Sequence, residues 1–186
     1  MGVEIVARIS GSGLRIGAVF GGLPAISMEE LMGSLAGLDR GPELAIRVGI
    51  CGQSDMAREL ELVAAVELSG IAARNGWRMV TGKPVLRSMA ARAVAELADP
   101  KIYFCPACGG SGKRTPTPKN PSCECPRCNG YATIEPSGRQ MAELIGIDEA
   151  TWRRTWSGRM QSARDIINGW LGEAIIHVHN KLKDDA

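Results

Sequence analysis

Apolar positions return at helical spacing through most of this chain and lose that rhythm in two places. Between Met56 and Ile71 the residues Met56, Leu60, Val63, Ala64, Val66, Leu68 and Ile71 recur at short helical intervals, which marks a helix with one broad buried side. Ser54 precedes the run as a cap and Asn75-Gly76 ends it, so the spacing predicts a helix over 55–74. Leu86, Met89, Ala90, Ala93 and Leu97 repeat at three and four between Pro84 and Asp99-Pro100, predicting a second. Upstream, "SMEELMGSLAGLD" reads as a helix from Met28, with Ser27 as cap and Glu29 and Glu30 in the first turn. "PELAIRVGI" reads as another, entered at Pro42 and ended before Gly52.

Towards the end, "PSGRQMAELIG" and "DEATWRRTW" read as two short helices around a turn. Beyond Gly158, the stripe Met160, Ala163, Ile166, Ile167, Trp170, Leu171, Ala174, Ile175 and Val178 forms a longer amphipathic helix, with Gly169 and Gly172 inside it. These helices are expected to pack as one core, with Trp77 and Met79 of a connector as anchors.

The rhythm fails over 1–26, which is rich in glycine and reads as irregular with room for one short strand. It fails again over 101–134, where "KIYF" leads strand-like into a polar, proline-rich and cysteine-rich stretch. The fold expected is therefore mainly α: a helical core over 27–100, an inserted four-cysteine zinc-binding unit over 101–134, and a helix-turn-helix-like segment with a C-terminal helix over 135–183 that packs on the core.

Composition narrows the chemistry. With 186 residues, 45% hydrophobic and 23% charged, the chain suits a globular protein with one core and a smaller appended unit. The formal net charge is only +2, so affinity for nucleic acid would need a local basic face. No stretch reaches the roughly 18 to 20 apolar residues of a membrane span, and the first residues lack the pattern of a secretory or myristoylation signal. The expected location is cytoplasmic, where disulfides rarely persist. Six cysteines then need another reason, and five of them lie between 105 and 128.

Cys105, Cys108, Cys125 and Cys128 form two C-x2-C pairs separated by sixteen residues. That spacing brings four thiolates around one tetrahedral Zn2+. Each hairpin must reverse just after its second cysteine, and Gly109 and Asn129 stand there, the residues that best tolerate a left-handed backbone. The intervening "KRTPTPKNPS" offers no core of its own. Zinc binding, worth on the order of 10 kcal/mol or more, would supply the stability. Two redox dithiols are the competing reading, but neither pair opens a helix as such dithiols do. Four cysteine ligands leave no open position for catalysis, so the zinc would be structural. Cys123 reads as a free thiol beside the site and Cys51 as a small buried hydrophobe. His177 and His179, two apart on a helix, face different ways and do not suggest a metal pair.

The helix pair after 135 carries the basic signal. Ala142, Gly146 and Trp152 occupy the small, turn and anchor positions of a helix-turn-helix, with Leu144, Ile145 and Ile147 expected between the helices. Arg153, Arg154, Arg159 and Arg164 follow with no acid from Thr151 to Arg164. The same pattern also fits a helical hairpin with a solvated basic face. Lys101, Lys113, Arg114, Lys119 and Arg127 make the cysteine unit basic too, and two basic modules side by side suggest nucleic acid. The residues expected to contact DNA are Arg153, Arg154, Arg159 and Arg139 from the helices, and Lys113, Arg114 and Arg127 from the cysteine unit.

With "CPACGGSGK", a basic spacer, "CPRCNGYA" and then "TWRRTW", the chain resembles the late-gene antitermination proteins of lambdoid phages, of the phage lambda Q type. The resemblance is specific over about 103–157 and weaker through "GICGQSDMARE" to "VARIS". It implies a protein that is not an enzyme, that binds DNA within a phage late promoter, and that engages bacterial RNA polymerase paused with its sigma factor. The polymerase would then resist pausing and terminators. It further implies zinc on the four cysteines, DNA at the helix bearing Arg153 and Arg154, and polymerase contact from the N-terminal helices. Nascent RNA and a Nus-type elongation factor are further implied partners, in the nucleoid of a bacterial host. Two departures from the family pattern are Ala132, where the second knuckle usually has glycine, and the extra Cys123. Two other readings stand beside it. One is a DnaJ-like zinc module that binds protein or RNA, although the chain has no histidine–proline–aspartate motif. The other is a thiol oxidoreductase using Cys105 and Cys108.

Overall fold

The computed structural model describes residues 6–10, 13–17, 27–99, 103–114 and 123–184. Two strands come first: β1 (Val6–Ser10) pairs antiparallel with β2 (Gly13–Gly17), in a register running from Val6↔Gly17 to Ser10↔Gly13. Two strands thus stand where the sequence left room for one within 1–26; the rest of that stretch lies outside the described residues. The signal was Gly11-Ser12, a two-residue connection suited to a tight reversal between runs containing β-branched residues.

Helix α1 (Met28–Ser34) opens on a reciprocal cap. The Ser27 hydroxyl accepts from the Glu30 N–H at 3.1 Å, and the Glu30 carboxylate accepts from the Ser27 N–H at 2.8 Å. Helix α2 (Arg40–Gly49) starts two residues earlier than its proline suggested and buries Leu44, Ala45, Ile46 and Val48. A single 3-10 turn (Ser54–Met56) precedes α3 (Ala57–Arg74), so Ser54 begins that turn and does not cap the helix. Helix α3 buries Leu60, Ala64, Leu68 and Ala72, a narrower stripe than its sequence suggested; Val66 is 74% exposed. Helix α4 (Val85–Ala98) buries Val85, Met89, Ala90, Ala93 and Val94.

Helix α5 (Gly138–Ile145) again has a reciprocal cap, between Ser137 and Gln140, and Gly146 ends it with a left-handed backbone at φ 81°. Asp148 caps the next start by accepting from the Thr151 N–H at 2.8 Å. From there α6 (Glu149–Thr151), a π turn (Trp152–Trp156) and α7 (Ser157–Asp184) run on without a break. The two helices expected on either side of Gly158 are thus one. Gly158, Gly169 and Gly172 are tolerated because the buried stripe of Trp156, Met160, Ala163, Ile167, Ala174 and Val178 anchors the helix along its length.

The main core gathers residues of α2, α3, α4, α5, the π turn and α7; a second cluster joins Leu31 and Leu35 to Ile46, Ile50, Ala174 and Val178. The fold is mainly helical, and α7 belongs to both clusters. Trp77 packs edge-on to Trp156, with ring centroids 6.1 Å apart. Met79, expected as a second anchor, is 47% exposed; Trp77 and Val80 of the connector pack against the core in its place. No helix among the described residues is long and apolar enough to cross a membrane.

Glycine allows α2 to approach α7. A Cβ at Gly41 would lie 2.6 Å from the Trp170 ring, so the two helices must separate or the indole must turn to admit one. Gly41→Ala is expected to cost about 1–3 kcal/mol, read as a lower urea midpoint with unchanged slope.

Candidate metal centre

The cysteine unit is built from two near-copies of one hairpin, displaced by twenty residues along the chain. Gly109, Gly110 and Gly112 have φ of 60°, 83° and 69°; their counterparts Asn129, Gly130 and Ala132 have 49°, 81° and 67°. Each hairpin's entrance pairs with the other's exit. The Cys105 N–H donates to the Ala132 carbonyl at 2.9 Å, and the Cys125 N–H donates to the Gly112 carbonyl at 2.9 Å. Isolated bridges Phe104↔Thr133 and Lys113↔Glu124 mark the two seams. Outside them the Ile134 N–H reaches the Tyr103 carbonyl at 2.8 Å, and the Arg114 N–H reaches the Cys123 carbonyl at 2.9 Å.

This exchange brings the four predicted ligands together. The sulfurs of Cys105, Cys108, Cys125 and Cys128 all lie within 4.8 Å of one another. Cys105 and Cys125 are 3.9 Å apart, and Cys108 and Cys128 3.8 Å, far beyond the roughly 2.05 Å of a disulfide. A tetrahedron of metal–sulfur bonds near 2.3 Å has edges of about 3.8 Å, so the donor set fits a tetrahedral thiolate metal. Cys105, Cys125 and Cys128 are buried, whereas Cys123 is exposed and outside the group, and Cys51 is half-buried against the second cluster.

The thiols differ in acidity. Desolvation opposes ionisation of Cys108, yet the backbone N–H groups of Gly112 and Gly110 and the neighbouring sulfurs bring it down to about 6. Cys125 is also lowered: desolvation raises it, but N–H groups from Arg127 and Cys128 outweigh that. Desolvation and the three other sulfurs push Cys128 up to about 11. Backbone donors thus stabilise the first negative charges, while the last proton is held because thiolates repel. A divalent cation would replace that proton.

A half-buried polar cluster fastens the unit to the helices. The Tyr103 hydroxyl donates to Glu96 of α4, whose carboxylate also takes Arg164 of α7 at 2.9 and 3.2 Å and Arg92 at 3.2 Å. Arg92 lies over the Tyr103 ring, 4.8 Å from its centroid. Burial raises the Glu96 carboxyl, but the Arg164 and Tyr103 hydrogen bonds prevail and hold it below its ordinary range. Burial and the Glu96 carboxylate both raise Tyr103. No local pattern announces this cluster, because Arg164 is sixty-eight residues from Glu96.

No family model matches the chain, and no curated protein or solved structure proved similar to it. The residues alone carry the argument.

The seven residues expected to contact DNA divide. Lys113, Arg114 and Arg127 are exposed on the cysteine unit, and Arg139 is exposed beside Glu143 at 3.2 Å. Arg153, 70% exposed, pairs with Glu149 at 2.6 Å, and Arg154 is exposed with its Nε donating to the Ala150 carbonyl at 3.2 Å. Arg159 is a correction: its guanidinium stacks between Trp77 and Trp156, 4.9 and 4.8 Å from the ring centroids, with Nη1 buried. Arg164 likewise turns inward to Glu96. In the helix pair, Ala142, Ile145 and Trp152 are buried, but Leu144 is 53% exposed and does not fill the gap expected of it. His177 is half-buried near the Ala36 carbonyl and His179 is exposed, on different faces as their spacing implied.

A Cβ at Gly112 would lie 2.5 Å from the Gly130 carbonyl oxygen, so Gly112→Ala should lower the melting temperature, whereas Ala132→Gly should relieve a left-handed alanine and stabilise by about 1 kcal/mol. Because the Glu96 carboxyl is lowered in the fold, its stabilisation is present above the ordinary carboxylate pKa and fades as pH falls through the folded value. Glu96→Gln should therefore cost about 2 kcal/mol near neutral pH and flatten the acid limb of a stability–pH curve.

Proposed function

We propose that this protein is a zinc-bearing transcription antitermination factor, which binds late-promoter DNA, engages paused RNA polymerase and carries it through terminators. The observation that carries the proposal is the pairing of a closed four-thiol centre with a following helix pair whose exposed Arg153 and Arg154 stand on a π turn between two buried tryptophans. The thiols take zinc, whose tetrahedral preference matches their separations and whose four-sulfur site is structural. Bound zinc would offset half of the thiolate charge and hold the two hairpins in register.

In the DNA-binding role, Arg153 and Arg154 reach phosphates or guanine edges, and Lys113, Arg114, Arg127 and Arg139 add phosphate contacts. The Glu149 partner of Arg153 is exchanged for phosphate on binding. The π turn suits this role. Its widened ring, closed by the Ser157 N–H on the Trp152 carbonyl, keeps both tryptophans in the core while the arginines face solvent. Arg159 steadies the turn from within by stacking on Trp156.

The test has two arms. Elemental analysis of the purified chain should return one zinc per molecule, lost in Cys108→Ser; iron in its place, or an unchanged metal content in the variant, would remove the zinc assignment. A single-round transcription assay would use host RNA polymerase and the DNA directly downstream of this gene, fused to an intrinsic terminator. Readthrough should require the protein and the promoter-proximal DNA. Arg153→Ala should weaken DNA binding by about 1–3 kcal/mol if it reads a base, at unchanged melting temperature, whereas Arg159→Ala should lower the melting temperature itself. Zinc-loaded protein that gives no readthrough with an active polymerase would overturn the antitermination reading.

A further inference from the structure

A groove of about 640 Å³ opens between the cysteine unit and α5, and neither metal binding nor the basic helix pair accounts for it. Its size lies in the range of sites that hold a small ligand or a few residues of peptide. The cysteine unit supplies Phe104, Pro106 and Arg127, and α5 supplies Glu143 and Leu144. Ile134, Glu135 and Pro136 line it from the segment that joins them, and Arg92 and Tyr103 of the polar cluster also border it. The cluster that fastens the cysteine unit to α4 and α7 therefore also fixes the spacing of the groove's two sides.

Two large apolar side chains of the groove are left partly uncovered. Phe104 and Leu144 contribute large apolar side chains that are 39% and 53% exposed, on opposite sides of the groove. Leu144 is the residue of the helix pair that sequence spacing placed inside, and it is outside. Phe104 is held in its place: its ring covers Gly110 so closely that a Cβ there would lie 2.3 Å away.

The charges decide what covers it. Arg127 on the cysteine unit and Glu135 on the joining segment make no ion pair with any described residue. Glu143 adds a second carboxylate, shared with Arg139. A single-stranded nucleic acid would bring its phosphates against two carboxylates, which disfavours it. A lone apolar ligand would leave the charges of Arg127 and Glu135 unanswered. A peptide satisfies all three elements at once.

We propose that this groove is a docking site for a short peptide segment of a partner protein. The segment carries a large apolar side chain that seats between Phe104 and Leu144, an acidic residue towards Arg127 and a basic residue towards Glu135 and Glu143. The apolar anchor supplies most of the affinity, and the opposed charges fix the direction in which the segment lies. The site uses none of the exposed arginines of the helix pair and shares only Arg127 with the proposed DNA contacts.

The test is selection of a random displayed peptide library on the full-length, zinc-supplied protein, followed by titration of a labelled synthetic copy of an enriched peptide. Enriched sequences should carry an apolar residue flanked by an acid on one side and a base on the other. Binding should fall about tenfold or more in Leu144→Ala, whose exposed position spares the fold. Selection repeated on Arg127→Glu should exchange the acidic position for a basic one, a change that general loss of structure would not produce. Enriched peptides that bind Leu144→Ala as well as the parent would overturn the proposal. So would a labelled single-stranded DNA or RNA 20-mer whose binding is lost in Leu144→Ala, which would assign the groove to nucleic acid.

Discussion

Four thiols brought within 4.8 Å of one another place like charges together once they ionise, and the described residues between Tyr103 and Ile134 are arranged around that constraint. Its apolar complement is slight: the three buried cysteines, with Ala107, Cys108 and Ile134 against them. Backbone donors favour the thiolates that form first, and crowding resists the last. The left-handed positions serve the same end, since they turn N–H groups inward towards sulfur. A metal there would be the equivalent of a core, and the helices fasten the unit through the cluster of Tyr103, Glu96, Arg92 and Arg164.

Much of this was written plainly in the sequence. The ligand set followed from the spacing of four cysteines, and the reversal points from Gly109 and Asn129, because short-range chemistry fixes both. Helix positions followed from apolar period and caps, as at Ser27. What escaped was contact between distant segments. Nothing near Glu96 names Arg164, and nothing in the period of α3 says that Val66 faces solvent while Leu68 does not. The β1–β2 pair was missed because glycine content outweighed a two-residue turn signal. The groove was missed because Leu144 fits a helix-pair pattern whose tertiary outcome depends on where the cysteine unit docks.

The arginines of the last helix show the same limit in sharper form. Counted along the chain, Arg153, Arg154, Arg159 and Arg164 form one basic stretch. Residues eleven apart on an unbroken α-helix lie within about 20° of each other, which would place Arg153 and Arg164 together. The π turn widens one turn of the helix and shifts that phase, so Arg153 stays outside while Arg164 reaches α4. One charge type therefore serves three purposes here: a free surface, a stacked brace between indoles, and a buried fastening.

The seam at Tyr103 and Ile134 has a further meaning. Because the chain's last step into the cysteine unit and its first step out are hydrogen-bonded to each other at 2.8 Å, the unit enters and leaves through a single doorway. Helices α4 and α5 share the main core on the near side of that doorway and need not part to accommodate what lies beyond it. Such closed insertions can be exchanged, lengthened or removed while the scaffold keeps its packing. The cysteine unit is in this sense a cassette, and the helical body is a host that selection could furnish with a different one.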